Sequence, residues 1–72
     1  METKISKGIY QHYKGNCYEV LDVAKHSETL EKMVIYKALY GSFEMWVRPL
    51  KMFLNDIEIE GVQVKRFSKV FV

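Results

Sequence analysis

The chain has 72 residues, a net charge of +2 and one cysteine, Cys17. This length predicts one domain, residues 1–72, which buries only about 60% of its unfolded surface. The single cysteine excludes an internal disulfide, and Cys17, His12 and His26 are too few for a four-ligand metal site, so neither a metal nor another cofactor is expected.

Composition indicates a packed globular domain, because 49% of the residues are apolar and 14% are aromatic. Residues 1–7 lack the apolar segment of a signal peptide, and no apolar run approaches the length of a membrane span. A cytoplasmic protein with no membrane association is therefore expected. Basic and acidic residues are interleaved, which does not favour a nucleic-acid binder. Self-association into a homo-oligomer is expected to support so small a core.

Short runs of β-branched and aromatic residues between isolated glycines predict strands. The first spans about residues 8–13 and is followed by a turn at 14–16. Further strands are predicted at 17–24, 33–40 and 43–48. Residues 49–54 follow with one helical turn, and 57–67 folds back on itself at Glu60 and Gly61. The predicted fold is mainly β, either a small five- to six-stranded antiparallel, strongly bent sheet or an SH3-like barrel with one short helical turn.

The predicted hairpin at residues 40–43 fixes a register if its loop has two residues. Tyr36 then lies opposite Val47 on an apolar core face, and Lys37 lies opposite Trp46 on a mixed face. That mixed face also carries Arg48. It suits three interpretations: a monomer surface on which charged side chains cover Trp46, an oligomer interface, or a ligand site. A cation–π contact between Lys37 and Trp46 is also predicted, whereas a longer loop would change the register.

The stretch His26-Ser27-Glu28-Thr29 is rich in polar functional groups but does not form a capping box, since Leu30 and Lys32 occupy the positions where Glu or Gln is needed. A solvated loop and a plain Ser27 helix cap both remain open. Adjacent residues of an extended segment point to opposite sides, which argues against a catalytic triad here.

Catalysis is not predicted elsewhere either. Cys17 with His12 or His26 resembles a thiol nucleophile with its base, but no local pattern supports that pairing. The glycines are isolated and form no phosphate-binding loop. The tyrosines are assigned mostly to packing. A rim of Trp46, Arg48, His26 and a few tyrosines would nevertheless suit a planar ligand, since bases stack on aromatic rings and arginine binds phosphate.

Several unusual motifs occur in order along nearly the whole chain. They are HYKG at 12–15, Y-x-V at 18–20, A-x-HSET at 24–29, Y-x-x-LYG at 36–41, WVRP-x-x-MF at 46–53 and RF at 66–67. In these motifs the chain resembles a bacterial and phage family catalogued as domain of unknown function 1653. The resemblance implies a free-standing small domain, cytosolic or phage-encoded, and marks 26–29 together with Trp46, Arg48 and Pro49 as part of the family pattern.

The sequence therefore leads to the hypothesis of a non-catalytic binding module that sequesters a nucleotide or nucleotide-derived ligand. The alternative is a protein- or RNA-interaction adaptor that uses the same face. The predicted ligand-binding residues are His26, Ser27, Glu28, Thr29, Lys37, Trp46 and Arg48, with His12, Tyr13 and Tyr36 as additional candidates.

Overall fold

A computed structural model describes residues 5–70. It contains seven strands and one short helix. They are β1 (Gly8–His12), β2 (Cys17–Lys25), β3 (Lys32–Ala38), β4 (Met45–Pro49), α1 (Leu50–Leu54), β5 (Asp56–Ile59), β6 (Val62–Lys65) and β7 (Phe67–Lys69). The prediction of a mainly β fold with one helical turn is confirmed. Within the described residues, no helix is long and apolar enough to cross a membrane.

The strands form an antiparallel five-stranded sheet with the order β4-β3-β2-β1-β7 and a separate β5–β6 hairpin. Strands β4 and β7 lie at the two edges of the larger sheet and do not pair with each other. Of the two forms that the sequence allows, the open sheet is therefore the one observed, and the closed barrel is not.

The sequence predicts that residues 57–67 fold back on themselves, and it predicts no strand after Phe67. Instead, the chain leaves β6 at Arg66, whose carbonyl accepts a hydrogen bond from the Tyr13 amide at 3.0 Å. The following residues pair with β1, and Phe67 lies opposite His12. The local alternation of residues cannot reveal this strand, because its partner is more than fifty residues away in the chain.

The predicted register between β3 and β4 is wrong by one residue. Tyr36 lies opposite Trp46, and Lys37 lies opposite Met45. The connecting loop is longer than two residues, since the Ala38 amide donates to the Glu44 carbonyl at 2.9 Å. Gly41 and Phe43 both take positive φ angles in that loop, 59° and 55°.

A shift of one residue moves every side chain of a strand to the other face of the sheet. Trp46 and Arg48 thus share a face with Val34 and Tyr36, the face that we call the inner face. Met45 lies on the opposite, outer face with Lys37. The predicted cation–π contact of Lys37 with Trp46 is replaced by one with Phe43, whose ring centroid is 5.9 Å from Lys37 Nζ.

The core lies between the inner face and α1. Phe53 of α1 is fully buried and stacks on Phe67 with 4.0 Å between ring centroids. Tyr10 and Tyr36 meet the Phe53 ring edge-on, at 5.5 and 5.4 Å. This aromatic layer supports one end of the inner face and fixes the positions of the side chains beside it.

Candidate functional site

A pocket of about 200 Å³ opens on the inner face next to the β4 edge. The residues that line it are Tyr18, Tyr36, Tyr40, Trp46 and Arg48. They come from three strands and from the β3–β4 loop. The pocket therefore depends on the sheet register and on that loop, and no short stretch of the sequence contains it. Trp46 remains 51% exposed, so much of its indole surface is accessible.

Arg48 is held in place on two sides. Its Nε donates a hydrogen bond to the Tyr36 hydroxyl at 3.2 Å. Its Cζ lies 5.8 Å from the centroid of the Phe67 ring, within cation–π distance. Guanidinium has five N–H donors. The bond to Tyr36 uses the donor at Nε, and the guanidinium lines the pocket. A fixed arginine loses less freedom on binding an anion than a mobile one.

The hydroxyl groups of Tyr18 and Tyr40 are hydrogen-bonded to each other at 2.8 Å. Burial and this bond raise the pKa of Tyr18 to about 12, and the charge of Arg48 acts in the opposite direction. The Tyr18 hydroxyl is therefore neutral at physiological pH and can donate or accept a hydrogen bond. Its ring also meets that of Tyr36 edge-on at 5.4 Å. The rings of Tyr18 and Tyr36 together form the aromatic wall of the pocket.

His12 lies behind this wall. Its ring is 4.9 Å from the Phe67 ring and 6.4 Å from the Tyr18 ring. Burial lowers the pKa of His12, and the positive charges of Arg48, Arg66 and Lys14 lower it further. Burial is the larger cause of this shift, and the three basic side chains add to it.

We expect acidification to destabilise the protein through His12. Its pKa in the folded state lies below 6.5, so the unfolded chain takes up a proton first as the pH falls through 6.5. This contribution to stability is intact above pH 6.5 and is lost progressively until the pH reaches the folded-state pKa. Urea unfolding at pH 7.5 and 5.0 measures the loss.

The matched variant for this test is His12→Asn. The Lys14 amide donates to His12 Nδ1 at 3.2 Å, and an asparagine oxygen can accept the same bond without titrating. The variant should lose less stability between the two pH values than the wild type. An equal loss in both proteins would show that His12 does not contribute.

The structure brings together only some of the predicted binding residues. Trp46, Arg48 and Tyr36 line the pocket. His12 lies behind it, and Tyr13 stacks on His12 with 4.5 Å between ring centroids. Lys37 points to the outer face, away from the pocket, because it pairs with Met45 and not with Trp46.

The residues 26–29 lie at the other end of the sheet. They connect β2 to β3 beyond the pair of Lys25 with Lys32, whereas Tyr18 pairs with Ala38 at the pocket end. Seven residue steps along β2 separate Tyr18 from Lys25, roughly 23 Å of strand. The predicted rim that joins His26 to Trp46 and Arg48 is therefore not observed.

The His26 side chain stabilises its own loop through hydrogen bonds. Its Nδ1 accepts hydrogen bonds from the amides of Glu28 at 3.1 Å and Thr29 at 3.4 Å. The Thr29 hydroxyl accepts one from the Glu31 amide at 3.2 Å. Ser27 is exposed in the same loop. Of the two interpretations left open, the polar turn is the observed one, and its hydrogen bonds give a structural role to the side chains of His26 and Thr29.

Sequence reasoning missed Tyr18 and Tyr40 as pocket residues and assigned them to packing. The available signal was the Y-x-x-LYG motif, which carries two pocket tyrosines on either side of the end of β3. Placing Tyr18 beside them requires the β2–β3 register, in which Tyr18 pairs with Ala38.

A larger cavity of about 530 Å³ lies near Tyr10 and Lys69. Of the two lysines that line it, Lys69 is already engaged, because its Nζ donates to the Lys7 carbonyl at 2.6 Å and to Ser6 Oγ at 3.0 Å. Residues 5–70 contain no cluster of three potential metal ligands. The smaller pocket, with its fixed arginine and accessible tryptophan, is therefore the stronger candidate.

These features define a small domain built on an open antiparallel sheet, with a pocket of aromatic side chains and one arginine at its edge. The chain belongs to the DUF1653 family, since the family model described as "Protein of unknown function (DUF1653)" matches residues 8–69. The resemblance inferred from the motifs is confirmed. All five pocket residues fall within those motifs.

The fold is similar to the crystal structure of a DUF1653 protein from Bordetella bronchiseptica, with a TM-score of 0.85 and 30% sequence identity. The similarity covers 97% of this chain and 92% of that chain. No curated protein matches the sequence.

Proposed function

We propose that this protein is a non-catalytic binding module that sequesters a nucleotide or a nucleotide-derived ligand in the pocket lined by Trp46 and Arg48. The base stacks on Trp46 or a pocket tyrosine, and Arg48 binds the phosphate or a base edge. The single thiol suits the reducing cytoplasm, where such ligands occur.

The observation that carries the proposal is the position of Arg48. The Tyr36 hydroxyl and the Phe67 ring hold it beside a half-exposed tryptophan. A pocket of about 200 Å³ is smaller than the sites of about 300–1,000 Å³ that enclose drug-sized ligands. It suits one planar ring, with the sugar and phosphate remaining outside the pocket.

The side chains at the pocket favour binding over bond cleavage. Cys17 and Tyr18 are consecutive on β2 and therefore point to opposite faces, which directs the thiol away from the pocket and from His12. His26 lies in the distant loop described above. The protonated Tyr18 and the hydrogen-bonded Tyr40 suit a role in orienting a ligand.

Trp46 provides a direct test, because it is the only tryptophan and its fluorescence reports on the pocket. Titration of the protein with the nucleoside monophosphates and the cyclic nucleotides should quench this fluorescence for one group of them. Calorimetry should then show an affinity loss of about 10- to 100-fold in Trp46→Ala, the magnitude of a lost base stack.

The control variant is Val47→Ala on the same strand, which points to the outer face and should bind as the wild type does. If no nucleotide binds at millimolar concentration, or if Trp46→Ala binds normally, the proposal fails.

The alternative of an adaptor for single-stranded RNA draws support from Arg66 and Lys14, which lie close enough to lower the pKa of His12 together with Arg48. An RNA could place one base in the pocket and its backbone along these charges. Its affinity should fall steeply with salt, whereas that of a free nucleotide in the pocket should change much less.

A further inference from the structure

Strand β4 is an open edge of the sheet with accessible apolar side chains. Met45 is 61% exposed and Val47 is 59% exposed. Exposed edge strands attract further strands unless lysines, prolines or bulges block them. The other edge, β7, has only three residues and carries Lys69. Strand β4 has five residues, and its proline is the last of them.

The hydrogen bonds of the β3–β4 ladder define which groups of this edge are available. Because the Ala38 amide donates to Glu44, the backbone groups of Glu44 and of every second residue after it point towards β3. The N–H and C=O groups of Met45 and Val47 consequently point away from the sheet.

We propose that β4 pairs in antiparallel fashion with β4 of a second copy of this chain, about a two-fold axis at Trp46. Met45 then lies opposite Val47 of the other copy, and Val47 lies opposite Met45 of the other copy. These two residue pairs exchange four backbone hydrogen bonds, so every outward group of Met45 and Val47 is satisfied.

Neighbouring registers are poorer. With Met45 opposite Met45, Val47 would lie opposite Phe43 of the other copy. Phe43 is not extended, since its φ is 55°. With Val47 opposite Val47, Met45 would face Pro49, which has no amide hydrogen. The register centred on Trp46 is therefore favoured on backbone grounds alone.

The side chains agree with this register. Glu44 of each copy lies opposite Arg48 of the other, which places opposite charges across the axis twice. On the outer face, Met45 and Val47 of the two copies form an apolar cluster. The two Trp46 side chains become neighbours, so each copy adds an aromatic group beside the pocket of the other.

Sedimentation velocity over a concentration series, without any ligand, measures this dimer. One strand per copy is a small interface compared with the standard of about 1,600 Å², so we expect dissociation constants on the order of micromolar. Val47→Pro should abolish dimerisation while leaving the β3–β4 bonds intact, because the Val47 amide points outward. Val47→Thr, which keeps that amide, should still dimerise.

A charge exchange tests the register itself. In Glu44→Lys the opposed positions are both positive, and in Arg48→Glu they are both negative. Each variant should weaken its own dimer by about tenfold or more, from the magnitudes of cross-strand charge pairs. An equimolar mixture should associate, since both opposed pairs are then of opposite sign. Glu58→Lys on the separate hairpin should have no effect.

Two further results would overturn the inference: a wild type that stays monomeric at millimolar concentration, or a dimer that withstands Val47→Pro. If the two charge variants remain folded by circular dichroism but fail to associate when mixed, the register is wrong. Since no ligand enters these measurements, their failure is distinguishable from failure of the proposed nucleotide binding.

Discussion

Replacing Phe53 with alanine should cost about 3–5 kcal/mol of folding free energy, the range for truncating a buried aromatic residue. Phe53 is fully buried, stacks on Phe67 and meets Tyr10 and Tyr36 edge-on. Small domains are stable by only about 5–15 kcal/mol, and a chain of this length lies towards the lower end. The variant should therefore be largely unfolded near 37 °C.

Urea denaturation followed by circular dichroism measures this effect. The matched control is Met52→Ala, the preceding residue of α1, which is half exposed and should cost much less. Similar losses in both variants would contradict a core centred on Phe53. A Phe53→Leu variant should retain part of the stability, because it fills more of the space but loses the ring contacts.

Those parts of the fold that depend on neighbouring residues could be predicted from the sequence. Gly15 has a φ of 110° in the first turn, and Gly61 has a φ of 81° in the β5–β6 turn. Glycine adopts such angles without steric cost, so its position indicates where a hairpin turns. The helical turn after Pro49 is similarly local, since proline prevents the strand from continuing.

The β3–β4 register could not be predicted, because it depends on the loop conformation. Phe43 takes a left-handed conformation that is rare for an aromatic residue, and the turn closes with its amide bonded to the Tyr40 carbonyl at 3.0 Å. Residue propensities favoured a strand from Phe43 onwards. The one-residue difference decided whether Trp46 faces Lys37 or Tyr36.

The site shows the same division. Trp46 and Arg48 stood out in the sequence because their residue types are common in binding sites. Their neighbours Tyr18 and Tyr40 were recognisable only after three strands had been aligned. The polar stretch at 26–29 attracted attention by its composition, yet its hydrogen bonds remain within the loop.

The pocket and the core share residues. Phe67 stacks on Phe53 in the core and lies under the guanidinium of Arg48 at the pocket. Tyr36 is buried in the core, and its hydroxyl accepts the hydrogen bond from Arg48. Since the supporting groups are rigid, the position of Arg48 is set by folding and does not require a ligand.

Arg48→Lys should reduce nucleotide affinity by about 10- to 100-fold although the charge is kept, equivalent to losing one or more hydrogen bonds to a charged group. Lysine lacks the planar fork that can use Nε for Tyr36 and its other nitrogens for a ligand. Calorimetry with the nucleotide identified in the Trp46 titration measures this loss. Tyr36→Phe should lower affinity less, because it removes only the acceptor that orients Arg48.

The comparison of Arg48→Lys with Arg48→Met separates charge from geometry. If lysine binds as well as arginine and methionine does not, only the positive charge matters and the fixed geometry has no role. If methionine also binds normally, Arg48 does not contact the ligand at all. Lys51→Met on α1 removes an exposed charge outside the pocket and should leave the affinity unchanged. An affinity that falls in the order arginine, lysine, methionine would establish that both the charge and the orientation of Arg48 contribute.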